Sequence, residues 1–554
     1  MKDFSLLIGG KAGFGIDKSG LILAKIFNRL GFKIYIYRDY PSLIRGGHTF
    51  SIIRASVKKI ATHRDKVDFV LALNQETIDL HRGRLKKDCL FIYDSDQSKD
   101  IAAVCGTGVS ISAILKEENA PEIMRNTCII GAFVKSAGIK REILEEVLRK
   151  EIPRDLELNL KVAFRGFEQA KELIKIEPLC NDPMPLISGN EAMGLGLVKA
   201  GLKNYLAYPM TPTSPVLHFL AELSEKYPIK VIHPESEISV ALMALGFASM
   251  GQKSAVGTSG GGFCLMTEGV SFSGMGELPV VFIVGQRPGP STGLPTYSAQ
   301  TELNFVMSSG QGEFPRLVVA PGDAEEAYYW AGMSLNLAWK YQLPAFILSD
   351  KNMGEGIYSF DMNSAGNIEE EPGLKWGGAG EYKRYSLTKN GVSPLAFAPL
   401  KDQVIKINSY EHDEYGITIE DSETTILMQD KRLRKEQGLC KDLEKLAAVK
   451  VYGNKKSKTA ILCWGSNKGV CIEAAEILNL KVIQPLVFSP FPVKQLQKAF
   501  AGVKKTIAVE NNATGQLSGL VNSFDFKVDK KILKYDGRPF SLEELQSKIK
   551  RALK

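Results

Sequence analysis

Several things are missing from this chain of 554 residues, and each absence removes a class of function. No run of about 18 apolar residues occurs, the minimum for a membrane-spanning helix, and Met1-Lys2-Asp3 leads into a short apolar strand rather than a signal peptide. A cytoplasmic protein with no membrane segment is expected. The eight cysteines are dispersed, without a Cys-x-x-Cys pair or a ferredoxin-like run, so neither a disulfide framework nor a resident iron–sulfur cluster is expected. No bound metal is expected either, and His48 has no metal-ligand partner near it in the sequence. The formal charge of +8 comes from scattered lysines, with no Lys/Arg block alternating with aromatics, which excludes nucleic-acid binding. A mildly basic surface does suit anionic substrates and an acidic electron carrier.

What is present reads as an α/β protein. Apolar residues at 44% and charged residues at 24% are those of ordinary globular domains, and the length calls for three or four of them. Strand-like Phe4 to Ile8 leads to a glycine turn (Gly9-Gly10-Lys11-Ala12-Gly13-Phe14-Gly15), a helix from about Lys18 to Leu30 and further strands, a pattern that predicts a mostly parallel sheet. Prolines 178, 183 and 185 mark a linker. A second alternating unit starts at Ser188, and a third starts near Ala460 after a charged helical stretch from Asp430 to about Val449. Between them, Glu371 to about Glu420 lacks periodicity. The expected segments are 1–178, 186–372, a connection over 373–440, and 441–554.

Glu237 follows the strand that ends near His233 and opens an apolar helix, with Ser236 placed to cap it. An acidic residue there serves the helix dipole as readily as chemistry. Thr211 stands in Tyr208-Pro209-Met210-Thr211-Pro212-Thr213-Ser214-Pro215, where hydroxyls beside free backbone N–H groups at a helix start form either a cap or a carboxylate site. Arg287 ends the strand Val280 to Val284 among Gly285, Pro288, Gly289 and Pro290, a solvated loop residue by itself and a carboxylate clamp if the three meet. The loop Thr258-Ser259-Gly260-Gly261-Gly262 permits either a tight turn or close approach of backbone to a ligand. The N-terminal glycine turn lacks dinucleotide-fingerprint spacing, and Arg45-Gly46-Gly47-His48 is open to the same two readings, phosphate loop or turn.

Taken in order, these segments resemble the 2-oxoacid:ferredoxin oxidoreductases, specifically a large subunit with the gamma part fused ahead of the alpha part. The marks are the glycine turn, Arg45-Gly46-Gly47, Gly189-Asn190-Glu191-Ala192, Tyr208 to Pro215, Glu235-Ser236-Glu237, Arg287 to Gly293, Glu510 to Leu517 and Tyr535 to Phe540. Met210 stands where the family more often has isoleucine. The resemblance implies a gamma-type α/β domain, a thiamine-enzyme pyrimidine-binding (PYR) domain and a transketolase C-terminal-like domain.

It further implies Glu237 as the glutamate that activates the aminopyrimidine of thiamine diphosphate, Thr211 and Arg287 with Thr213 and Ser214 as the carboxylate grip, and Ser259, Gly260 and Gly261 beside the cofactor. Gly13, Gly15, Arg45, Gly46 and Gly47 become candidates for coenzyme A contact or domain closure. No Gly-Asp-Gly with a downstream Asn ligand occurs, so the magnesium–diphosphate half of the site is assigned to a partner beta subunit that also carries a [4Fe–4S] cluster, in an (alpha-beta)2 assembly serving ferredoxin. The implied reaction is oxidative decarboxylation with acyl transfer to coenzyme A, in either direction, of the kind known in anaerobic metabolism. The fused layout is closest to 2-oxoglutarate-type enzymes, while pyruvate, branched-chain and aryl oxoacids stay open. A self-contained thiamine enzyme would need both halves of the site, an NAD dehydrogenase would need the glycine fingerprint, and a non-catalytic scaffold is the reading outside enzymes.

Overall fold

The computed structural model describes residues 1–42, 47–98 and 106–554. These form two compact units: residues 1–187 with 356–361 and 541–547, and residues 188–355 with 362–540 and 548–554.

The first unit is built on an eight-stranded sheet in the order Gly106–Val109, Leu85–Asp94, Val67–Ala72, Asp3–Lys11, His48–Ser56, Lys33–Asp39, Ile357–Ser359 and Leu186–Ser188. The expected parallel character holds for only half of it. Asp3–Lys11 is parallel to Val67–Ala72 but antiparallel to His48–Ser56, which also runs antiparallel to Lys33–Asp39. The reason is chain length. Only residues 40–47 join Lys33–Asp39 to His48–Ser56, too few for the crossover of a dozen or more residues that parallel strands need. Helices Ile16–Arg29 and Arg125–Ser136 pack on this sheet, and Phe4, Phe27, Phe69 and Phe133 meet edge to face in its core.

The second unit carries the landmarks singled out from the sequence. Its seven-stranded sheet runs Val487–Ser489, Leu317–Val319, β5 (Ala345–Asp350), β4 (Val281–Gln286), β3 (Ser254–Ser259), β1 (Asn204–Leu206) and β2 (Lys230–Ile232). Every described pairing in it is parallel except that of Val487–Ser489. That strand comes from the C-terminal region, whose own five-stranded sheet belongs to the same compact unit. The chain after residue 365 has no helix or strand until Ser422–Leu443, though it is packed: Arg384 donates to the carbonyls of Gly276 and Glu277, and Tyr385 is fully buried. The helix begins well before Asp430 because the Asp421 side chain caps it by accepting from the Thr424 N–H at 2.8 Å.

Three helices concern function: α1 (Ser214–Leu223), α2 (Glu237–Ser249) and α3 (Gly260–Met275). They follow β1, β2 and β3, so the sequence landmarks leave the carboxyl ends of four adjacent strands. Open parallel sheets place their ligand sites there.

Candidate active site

The cavity at this edge has a volume of about 520 Å³ and is lined by Ser259, Gly260 and Gly261 at the start of α3, Arg287 after β4, and Thr301 and Glu302, among others. Of the Tyr208–Pro215 loop, Met210 lines it. Ser259 occupies the cap position of α3 in extended backbone, yet its hydroxyl caps nothing. No side chain caps the first turn of α3, whose Gly260 and Gly261 line the cavity, and an uncapped helix start is what an anion site requires. Among the described residues of the lining, Ser259 Oγ, Arg287 Nε and Glu302 Oε2 are buried without a hydrogen-bond partner. Buried polar groups are normally satisfied, so three orphans around one cavity point to a ligand.

Glu237 is the first residue of α2, 5% exposed, with the Ser236 hydroxyl accepting from the Ser239 N–H. Its carboxyl lies against α3: a Cβ built on Gly262 would stand 2.5 Å from Glu237 Oε1 and 2.3 Å from Thr258 Oγ1. Only glycine lets the two helix starts approach so closely. The outer faces of these helices are uncovered, with Ile238, Leu242 and Met243 on α2 and Leu265 on α3 between 40% and 50% exposed. Exposed apolar side chains on both helices, beside the exposed Glu268 of α3, mark a surface of the kind that partner proteins cover.

Arg287 and Thr211 meet, through the Thr211 carbonyl, which accepts from Arg287 Nη1 at 2.8 Å. That bond orients the guanidinium and leaves Nε free. Burial lowers the Arg287 pKa. Thr213 is 2% exposed and its hydroxyl donates to the carbonyls of Met210 and Thr258, so it ties the loop to β3. Thr213, not Thr211, stands at the cap position of α1, and its side chain makes no cap bond. Ser214 is half-buried at the start of α1, its N–H donating to Met210.

In the first unit, Gly13 and Gly15 take positive φ, and the Ala12 N–H donates to the Gly47 carbonyl at 3.1 Å, joining the two glycine segments. Arg45 and Gly46 lie outside the described residues. His48 does have a neighbour: its Nε2 is 2.9 Å from His81 Nε2, and burial pushes the His81 pKa down to about 3. Four residues of the cavity escaped sequence reasoning: Cys264, Thr301, Glu302 and Phe305. Glu302 precedes a short helix, Leu303–Ser308, where an acidic residue looks like any other helix start. Among the described residues no group of three or more His, Cys, Asp or Glu could hold a metal ion, and no helix is long and apolar enough to cross a membrane.

Residues 196–431 match the family described as "Pyruvate flavodoxin/ferredoxin oxidoreductase, thiamine diP-bdg", and residues 5–169 match "Pyruvate ferredoxin/flavodoxin oxidoreductase". The 2-oxoacid:ferredoxin oxidoreductase subunit alpha of Saccharolobus solfataricus is 31% identical, the match covering 99% of this chain and 97% of that one. The 2-oxoglutarate synthase subunit KorA of Methanocaldococcus jannaschii is 29% identical over 66% of this chain and 98% of its own. Among solved structures, a 2-oxoglutarate:ferredoxin oxidoreductase from Magnetococcus marinus, with 2-oxoglutarate, coenzyme A and succinyl-CoA bound, superposes with a TM-score of 0.90 at 29% identity, over the full length of both chains. The chain belongs to the 2-oxoacid:ferredoxin oxidoreductase family, as an alpha subunit.

Proposed function

We propose that this chain supplies the pyrimidine-side half of a thiamine diphosphate site and the carboxylate grip of a coenzyme A-acylating 2-oxoacid:ferredoxin oxidoreductase, with 2-oxoglutarate as substrate and succinyl-CoA as product. The observation that carries it is the pairing of a buried Glu237 against Gly262 with a cavity holding three partnerless polar atoms. The residues present fit one end of the cofactor only. Glu237 and the glycine start of α3 suit an aminopyrimidine ring, whereas no acidic cluster for the magnesium–diphosphate end exists among the described residues. When bound, the cofactor supplies an electron sink for decarboxylation.

In this reading Glu237 holds a proton against the pyrimidine, Arg287 and the N–H groups of α3 orient the substrate carboxylate, and Thr211 positions Arg287. Thr213 and Ser214 shape the loop, while Ser259, Gly260 and Gly261 form the cavity wall. A beta subunit covers the apolar faces of α2 and α3 and brings magnesium and the [4Fe–4S] cluster, in an (alpha-beta)2 assembly that reduces ferredoxin. The 1–178 segment acts as a gamma-type domain, with Gly13, Gly15, Arg45, Gly46 and Gly47 serving coenzyme A contact or domain closure. The 186–372, 373–440 and 441–554 segments serve as PYR domain, connection and transketolase C-terminal-like domain. The 2-oxoglutarate assignment is supported by the M. jannaschii and M. marinus relatives.

The test is to co-purify the chain with its partner and assay coenzyme A-dependent reduction of an artificial acceptor with 2-oxoglutarate, pyruvate and a branched-chain oxoacid. Highest kcat/KM with 2-oxoglutarate is expected. Preference for another oxoacid overturns the substrate, and tight binding of thiamine diphosphate by the isolated chain, measured by titration calorimetry, overturns the split site.

A further inference from the structure

Glu302 is 8% exposed and is fixed by its own N–H, which donates to Gln286 Oε1 at 3.2 Å. Its carboxyl presses on the start of α3, where a Cβ on Gly260 would stand 2.7 Å from Oε1. The Thr301 hydroxyl has one proton and two acceptors in reach, Glu302 Oε1 at 2.9 Å and the Arg287 carbonyl at 3.3 Å. If Glu302 is ionised, the Thr301 hydroxyl can serve only one of them, and Oε2 has no hydrogen-bond partner. With a proton on Oε1, Glu302 donates to Thr301 and Thr301 donates to the Arg287 carbonyl, so both acceptors along this line are served, while Oε2 stays open in either state.

The charges around Glu302 favour the same state. Arg287 gives its hydrogen bond to Thr211 and none to either Glu302 oxygen. Cys264 lines the same cavity from α3, Glu237 presses on Gly262 from α2, and beyond Gln300 lies Glu510, already bonded by Asn512, Leu517 and Ser518. Burial pushes the Glu302 pKa up to about 7 against the opposing influence of Thr301 and Arg287. Arg287 is the single cation among the described residues of the lining. With Glu302 ionised the lining is neutral, and with Glu302 protonated it carries the one positive charge that matches a carboxylate.

We propose that Glu302 is the proton-holding positioning residue of this pocket: in the anion-bound state it is a neutral carboxylic acid, so binding of a 2-oxoacid draws a proton from solvent into the site. The inference rests on the reading of Arg287 as the carboxylate grip. Anion affinity is then highest below the free-state pKa and falls as pH rises through it, because the competent protonated form is depleted.

The test uses the assembled complex and two unreactive 2-oxoacid isosteres, N-oxalylglycine and oxamate, titrated by calorimetry at pH 8 in buffers of different ionisation enthalpy. Wild type should take up approaching about one proton per site, and Glu302→Gln, neutral at every pH, should take up none. In turnover, the wild-type KM should rise about tenfold per pH unit above about 7 with kcat little changed, while the Glu302→Gln KM stays flat. No uptake in wild type, or equal uptake in Glu302→Gln, overturns the proposal. Should Glu302→Gln fail to assemble, the infrared difference spectrum of the wild-type complex decides: the carbonyl band of a protonated carboxyl must appear on isostere binding, and its absence refutes the role. Proton uptake without turnover of any 2-oxoacid would sink the oxidoreductase reading and spare Glu302. Turnover without uptake would do the reverse, and a complex that neither binds nor turns over loses both.

Discussion

Glu302 and Glu326 are the same side chain buried in the same compact unit, 8% and 3% exposed, and they are treated in opposite ways. Glu326 is surrounded by donors: Lys468, Lys450 and Tyr452 reach Oε1, while the Gly322 N–H and Gln484 reach Oε2. Burial by itself would raise its pKa, but the ammonium groups of Lys468 and Lys450 outweigh that and hold the carboxyl far below the usual carboxylate range. Glu302 has the Thr301 hydroxyl, nearby backbone N–H groups and a guanidinium that does not bond it, and burial wins. The difference separates two uses of polar burial. A closed network spends all its valences on the fold, whereas the cavity wall leaves Ser259, Arg287 and Glu302 with valences that only a ligand can use.

Substitutions can break that distinction. On the cavity side, Glu237→Gln should cut turnover of the assembled complex by about 10²–10⁴-fold without lowering the melting temperature, since an amide fills the space but cannot supply the acidic proton. A fall in melting temperature as large as that of a network variant would move Glu237 to the other class. On the network side, Lys468→Met strands the Asp323 and Glu326 charges and should cost about 3–5 kcal/mol in urea unfolding near neutral pH. The depressed Glu326 pKa contributes stability that is present above the ordinary value of 4.5 and is lost as pH falls below it, so this penalty should shrink in acid. A pH-independent penalty would mean that packing, not charge, is what Lys468 provides.

Smaller effects sharpen the picture of the carboxylate grip. Arg287→Ala should lose at least roughly tenfold in kcat/KM for every 2-oxoacid, the equivalent of a charge-assisted bond of about 1.5–3 kcal/mol. A loss confined to 2-oxoglutarate would put the guanidinium at the distal carboxylate instead. Thr211→Val should cause little loss, since Thr211 holds Arg287 through its carbonyl, which valine keeps, and an equally broad loss of up to about tenfold would show instead that its hydroxyl touches substrate.

What was legible in the sequence is what is local. Ser236 followed by Glu237 and an apolar run marks a helix start, and Arg287 after Val280 to Val284 marks a strand end, so both emerge where periodicity places them. The parallel sheet of the second unit follows from the same alternation. The sheet of the first unit does not, because direction depends on the length of one connection, residues 40–47, rather than on the strands. The helix from Ser422 hides its start in polar residues that only the Asp421 cap reveals. Glu302 was beyond reach for a further reason. Its character comes from Thr301, Arg287 and the start of α3, and sequence spacing between residues 260 and 302 says nothing about their meeting.

Gly262 carries no functional group, yet it stands where a methyl would collide with the Glu237 carboxyl and the Thr258 hydroxyl. Alanine there, a single-base change in a glycine codon and the mildest exchange by any tally of residue similarity, would remove no reactive atom yet push the Glu237 carboxyl and the Thr258 hydroxyl aside. The atoms such a methyl meets are side-chain ends, so the exchange re-aims the Glu237 carboxyl by volume alone. A variant at residue 262 is thus a change in how the site is aimed, although it touches no functional group.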